Sequence, residues 1–227
     1  MSMVMAIIAD ADLVFADQYE NLVAAIQTPE EFWTLIGLFQ RATDKGNPAT
    51  HFNLGRAIAL VEGYEGEALA AFEQAITMQP WLGSPYVGAG IVLLRIGEIE
   101  QAITIFQQAR TLDFPEWPED EWLKNTTAYH RAHAYLGLAV AYNSSGRFLE
   151  SVESAYEALT LSAETFNEYA EQLLNTYAMV ATAWLSEDDP DHAYDLTSRA
   201  VPLAEYRGDN RIFELLNQAE AMLESQQ

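Results

Sequence analysis

Asn53-Leu54-Gly55-Arg56-Ala57, then Leu60, Gly63, Ala68, Phe72, Ala75 and Met78, is the stretch on which the fold turns. Shifted by 34 residues it lands on itself: Leu60 on Leu94, Gly63 on Gly97, Ala68 on Ala102, Phe72 on Phe106, Ala75 on Ala109 and Met78 on Leu112. Self-similarity at this period marks a stack of like supersecondary units, none of which can bury its apolar face alone. Leu54-Gly55 matches Ala89-Gly90 only at 35, which places a one-residue slip near the turn Tyr64-Glu65-Gly66. Further on, Tyr135, Leu138, Ala139, Tyr142 and Ala158 fall on Tyr177, Val180, Ala181, Trp184 and Ala200 at a spacing of 42, as longer helices require.

Around these repeats the punctuation is helical. Thr28-Pro29-Glu30-Glu31 offers a capping threonine, a proline in the first helical slot and a glutamate to complete a capping box. Asn47-Pro48, Ser84-Pro85 and Asp189-Pro190 repeat the cap-then-proline device, and Thr165-Phe166-Asn167-Glu168 reads as another capping box. Gly46, Gly63, Gly97, Gly146 and Gly208 follow helical patterns, where left-handed stops belong. Apolar residues recur at three- and four-residue steps, as in Phe15, Tyr19, Leu22, Val23 and Ile26, and in Ile212, Leu215, Leu216, Ala219 and Leu223. The spacing predicts eleven helices near 4–26, 28–43, 48–62, 65–78, 84–96, 98–112, 119–144, 147–161, 165–186, 189–205 and 209–225.

These residues resemble the tetratricopeptide repeat family. One unit is Asn53-Leu54-Gly55-Arg56-Ala57 with Ala68, Phe72, Ala75 and Pro80. The next is Tyr86, Ala89, Gly90 and Leu93 with Ala102, Phe106 and Ala109. A third and fourth unit depart from the pattern at Ser151 and Ala155, and at Thr197. The resemblance implies an all-α, α-α superhelix, a solenoid of about eleven antiparallel helices. Its segments are an N-terminal capping pair at 1–46, two hairpins at 47–113, an acidic Pro/Trp insertion at 114–121, two longer hairpins at 122–207 and a capping helix at 208–227. It also implies a concave groove lined by the first helix of each hairpin. Carried over residue by residue, that groove takes Phe52, Arg56 and Ala59, then Val87, Ile91, Leu94 and Arg95, then His133, Leu136, Val140 and Asn143, and finally Asn175, Ala178, Thr182 and Leu185. Some relatives grip a chaperone's C-terminal carboxylate with a clamp of Lys, Arg and Asn. Of the corresponding Ala49, Phe52, Asn53, Arg56, Ser84, Val87 and Gly88, only Asn53 and Arg56 suit that task. A mostly apolar groove suits an amphipathic helix or an extended apolar segment instead. The Trp117 and Trp122 insertion, or the helix with Phe15, Tyr19 and Leu22, could equally cover it.

Composition narrows the function. The formal charge is −23, the only lysines are Lys45 and Lys124, and no Lys or Arg precedes Arg41. With no basic stripe, neither a nucleic-acid backbone nor an anionic membrane surface is a fitting partner. The acidity serves solvation first and could also steer a basic partner. Absence of cysteine removes disulfides, thiolate catalysis and cysteine-ligated metals. No run approaches about 20 apolar residues, and the apolar start from Met1 to Ala9 lacks the basic residues of a secretory signal. The expected location is cytoplasmic.

Chemistry is searched for without a candidate. His130 and His133 share a helix face with no carboxylate a turn away, so a solvated pair is expected rather than a metal site. The acidic runs Glu187-Asp188-Asp189-Pro190-Asp191 and Glu116 to Glu121 suit a helix N-terminus and a solvated loop. No nucleophile elbow, phosphate-binding loop or dinucleotide fingerprint is present. The expectation is therefore no enzyme, no cofactor and no metal. The chain reads as an adaptor, scaffold or assembly factor holding a peptide or helix of a basic or amphipathic partner protein. The alternatives are a peptide-sensing regulatory module and, further off, an enzyme working through paired buried carboxylates. A homo-oligomer through Met1, Met3, Met5 and Ile7 is a further possibility.

Overall fold

The computed structural model describes residues 26, 28–43, 48–112, 121–167 and 169–226. Among them are eleven helices and no strand: α1 (Pro29–Thr43), α2 (Pro48–Ile58), α3 (Glu65–Met78), α4 (Gly83–Arg95), α5 (Ile99–Thr111), α6 (Glu121–Ser144), α7 (Phe148–Leu161), α8 (Ala163–Asn167), α9 (Ala170–Ser186), α10 (Pro190–Arg207) and α11 (Asn210–Ser225). The fold is all-α, of the tetratricopeptide solenoid type. The cap at Asn47 and the stop at Gly46 lie outside the described residues, as do the helix expected at 4–26 except for residue 26 and the 114–121 insertion except for Glu121, which opens α6.

Local chemistry explains most boundaries. The Thr28 box closes reciprocally: the Glu31 amide donates to Thr28 Oγ1 at 3.2 Å, and the Thr28 amide donates to Glu31 Oε2 at 3.3 Å. Asp189 caps α10 by accepting from the His192 amide at 3.3 Å, with Pro190 in the first turn. At the other end Gly208 takes a left-handed φ of 68°, and the next amide, Asp209, reaches back to Ala204 O at 2.9 Å.

Three expectations are corrected. The helix read over 48–62 ends at Ile58, where the amides of Leu60 and Val61 tighten onto Ala57 O and Ile58 O, three residues back. The start read at Ser84 falls on Gly83, with Leu82 as an N-cap that makes no side-chain bond. The helix read over 165–186 is two, α8 and α9. Ser162, not Thr165, supplies the cap there, since Ser162 Oγ accepts the Thr165 amide at 3.2 Å.

The helices gather in two compact units, Met1–Gly97 and Glu98–Gln227. In the first, α2 packs on α1, α3 and α4, and α3 packs on α4. Phe72 of α3 is the central knob. A methyl placed on Gly55 of α2 would lie 2.8 Å from its ring, and one on Gly88 of α4 would lie 2.6 Å from it. Only glycine lets both backbones come this close to a buried phenyl ring. In the second unit α6 packs on α5 and α7, α10 packs on α7, α9 and α11, and α8 fills the corner of α6 and α7. Phe106 of α5 repeats the device against Gly137 of α6, where an added methyl would sit 2.4 Å from the ring. Further along this unit Leu136, Ala139, Val152, Ala155, Leu173, Leu174, Tyr177, Leu196 and Ile212 belong to one buried cluster.

Candidate functional site

The first helices of the hairpins, α2 and α4 in one unit and α6 and α9 in the other, carry fourteen of the fifteen expected groove residues, and Ala59 lies just past the end of α2. In the first unit, Phe52 is half-buried with its ring centroid 6.0 Å from that of Phe72, and the Arg56 guanidinium lies 5.6 Å from the Phe52 ring centre. Val87 is buried in the core, Leu94 is half-buried, and Ile91 between them is 55% exposed. Arg95 turns back onto its own unit, donating to Ala59 O and facing Glu65 at 3.6 Å.

The second unit divides in the same way. Leu136 and Ala178 are buried, while Val140 and Leu185 are half-buried. His133 is half-buried, its ring 4.1 Å from that of Tyr129 and its Nδ1 2.9 Å from Tyr129 O. Asn143 Nδ2 lies 3.5 Å from Thr176 Oγ1. Asn175 Oδ1 accepts from Arg211 at 2.6 Å, and Asp209 grips the same guanidinium at 2.9 and 2.5 Å. Thr182 is exposed, with its hydroxyl donating to Ala178 O at 2.7 Å. Sequence reasoning missed Met179, which is 72% exposed on α9. Its signal was its place on the helical face shared with Asn175 and Thr182, one step beyond Ala178.

Among the described residues the titratable groups with shifted pKa values do not assemble an acid–base pair. No Asp, Glu, Lys, Arg or His is among the buried side chains of the described residues. Glu65 is held below the usual carboxylate range by its own amide and that of Gly63. For Glu150, burial pushes upward but its own amide and Arg147 prevail, and Asp209 is lowered by Arg211. A general acid needs the opposite direction. His130 departs from the solvated pair expected: burial, then the neighbouring His133, pushes it down to about 4. Among the described residues no three His, Asp or Glu side chains converge as a metal set, and no helix is long and apolar enough to cross a membrane.

Comparisons with known proteins agree with this construction. The tetratricopeptide repeat family model matches residues 132–165, which span the end of α6, all of α7 and the start of α8. A crystal structure of a MamA protein superposes with a TM-score of 0.55 at 18% identity, covering 92% of this chain and 96% of that one. MamA 41-end from Desulfovibrio magneticus RS-1 superposes with a TM-score of 0.51 at 17% identity, over 85% and 94% of the two chains. At such identities the likeness is one of fold. No curated protein matches the chain in sequence. With the family model seated on the α6–α7 hairpin and the fold shared along most of the chain, the protein carries a tetratricopeptide repeat at residues 132–165 within an all-α fold of that type.

Proposed function

We propose that the chain is a non-catalytic adaptor, scaffold or assembly factor that holds a peptide or amphipathic helix of a partner protein against the first helices of its hairpins. The tetratricopeptide fold supports use as a protein–protein interaction module. The observation that carries the reading is the exposure of Ile91 on α4 and Met179 on α9, large apolar side chains left open on helices whose other large apolar residues are buried or half-buried. Neither α2 nor α4 contains an Asp or Glu, so an apolar segment laid there meets no carboxylate, while acidic residues on the second helices steer a basic flank. Cytoplasmic residence belongs to the same proposal and is checked by fractionation.

The test uses exposed positions, because a charge at buried Val87 or Leu136 would unfold the unit. Affinity capture from lysate with the wild-type chain, followed by mass spectrometry, should enrich a discrete partner. Ile91→Glu and Thr182→Glu, each retaining the wild-type circular dichroism, should each weaken that partner's binding by about tenfold, the loss expected when a buried apolar contact is replaced by charge. Undiminished binding by both folded variants removes the first-helix reading.

A further inference from the structure

A second surface lies on the first unit, made of residues that the expected groove does not include. Trp33 of α1 and Tyr64, the N-cap of α3, stack at 5.3 Å between ring centroids with an interplanar angle of 59°. The pair is nonetheless open to solvent, Trp33 at 45% and Tyr64 at 39%, and Leu60 before them is 62% exposed. Two tilted aromatic faces form a corner that offers π-electron density, and three glutamates stand close to it along the chain. Glu30 stands one turn before Trp33 on α1, Glu62 two residues before Tyr64, and Glu67 three residues after it. All three are exposed, and none forms an ion pair among the described residues. Glu65 is already engaged by Arg95 and is not counted.

We propose that the Trp33–Tyr64 corner, rimmed by Glu30, Glu62 and Glu67, docks a cationic side chain, Lys or Arg, of an apolar-basic segment of a partner protein. An ammonium or guanidinium is attracted to both ring faces, and its stem covers Leu60. The carboxylates complete the charge match. A neutral apolar segment would leave the acids unused, and an acidic one would be repelled. This surface does not rest on the first-helix reading and can stand if that reading fails.

The experiment is a titration of the full chain, with the Trp33 indole N–H resonance assigned by its loss in Trp33→Phe. The probe is a short Leu/Lys helical peptide, and the controls are its Leu/Gln and Leu/Glu counterparts. The Leu/Lys peptide should shift the Trp33 indole resonance and the controls should not. Trp33→Ala and Tyr64→Ala should each weaken binding about fivefold, as cation–π contacts of this kind predict. A −23 chain attracts any polycation, so Leu/Lys binding that leaves the Trp33 resonance unmoved overturns the proposal. Equal shifts with the Leu/Gln peptide would assign the corner to a neutral apolar partner, and concentration-dependent shifts without peptide would assign it to a second copy. Either overturns the proposal as well. Should Trp33→Ala not fold, the wild-type titration alone decides.

Discussion

Ser151 and Tyr177 form a buried polar pair. Ser151 Oγ lies 2.7 Å from Ala139 O and 2.8 Å from Tyr177 Oη, and both residues are buried. A serine hydroxyl has one proton and the Ala139 carbonyl can only accept it, so Tyr177 donates to Ser151. Burial drives the Tyr177 phenol above its ordinary pKa, which keeps that proton in place. Ser151→Ala strands the tyrosine hydroxyl and should lower stability by about 1–3 kcal/mol. Tyr177→Phe leaves Ser151 its carbonyl and should cost less, about 0.5–1.5 kcal/mol. In urea unfolding the double variant should be less destabilised than the sum of the singles, and strict additivity would contradict the pair. The sequence marked Ser151 and Ala155 as departures from the repeat, but the tyrosine that answers them sits on another helix, a fact that only packing supplies. His130 gives a second prediction at this scale. Its folded pKa, about 4, lies below its unfolded value, so the unfolded chain binds the extra proton. Its contribution is therefore complete above about pH 6.5 and lost as pH falls toward 4, a change of roughly 2–3 kcal/mol. Carboxylates titrate over the lower part of this window, so the measurement is the difference between wild type and His130→Gln, which should flatten the decline between pH 6.5 and 5.

At the scale of helices, glycine against phenylalanine sets the spacing. Gly137→Ala drives a methyl into the Phe106 ring and should cost about 1–3 kcal/mol by overpacking. Phe106→Leu in the same chain should recover part of that loss, which thermal unfolding can show. The repeat made these positions legible in part. The match of Phe72 to Phe106 at 34 residues identified the knob, but the glycine read from the repeat was Gly90, whereas the close approach to Phe72 involves Gly88. One turn of helix places several glycines within reach, and a linear pattern cannot say which faces the neighbour. Helix stops show the same division. Gly146 has φ 76° and is followed by an Arg147 amide bonded to Tyr142 O at 2.8 Å. Forty-two residues on, Asp188 has φ 58° and is followed by an Asp189 amide bonded to Trp184 O at 2.9 Å. The turn is conserved within the chain although its glycine is not, which is why the stop went unmarked in the sequence. Asp188→Gly relieves a left-handed strain and should raise stability by about 0.5–1 kcal/mol, less the entropy glycine adds to the unfolded chain. An unchanged or lower midpoint in urea would show that the aspartate side chain compensates locally.

For the molecule as a whole, the charge of −23 was legible from the sequence and its placement was not. Acids concentrate on second helices and the last helix, with Glu150, Glu153 and Glu157 on α7 and Glu214, Glu220 and Glu224 on α11. The groove's openness was equally illegible, because periodicity assigns a residue to a face and only packing decides whether a neighbour covers it, as with Leu136 against Ile91. The placement of charge has a measurable consequence. Self-repulsion among 34 acids facing 11 lysines and arginines opposes the compact state, and it weakens as the screening length falls from about 30 Å in 0.01 M salt to about 10 Å in 0.1 M. Exposed pairs such as Arg199 with Glu153 lose attraction over the same range, but such pairs contribute only about 0–1 kcal/mol each. Repulsion therefore wins, and the thermal midpoint should rise with sodium chloride. Glu220 and Glu224 repel each other four residues apart, near the end of α11, where the helix dipole disfavours anions and no basic residue stands in the last turn. Glu220→Gln with Glu224→Gln should stabilise the chain by about 0.3–1 kcal/mol in low salt, with the gain shrinking as salt is added. A gain of equal size at high salt would mean that the two glutamates act through packing or propensity instead of charge.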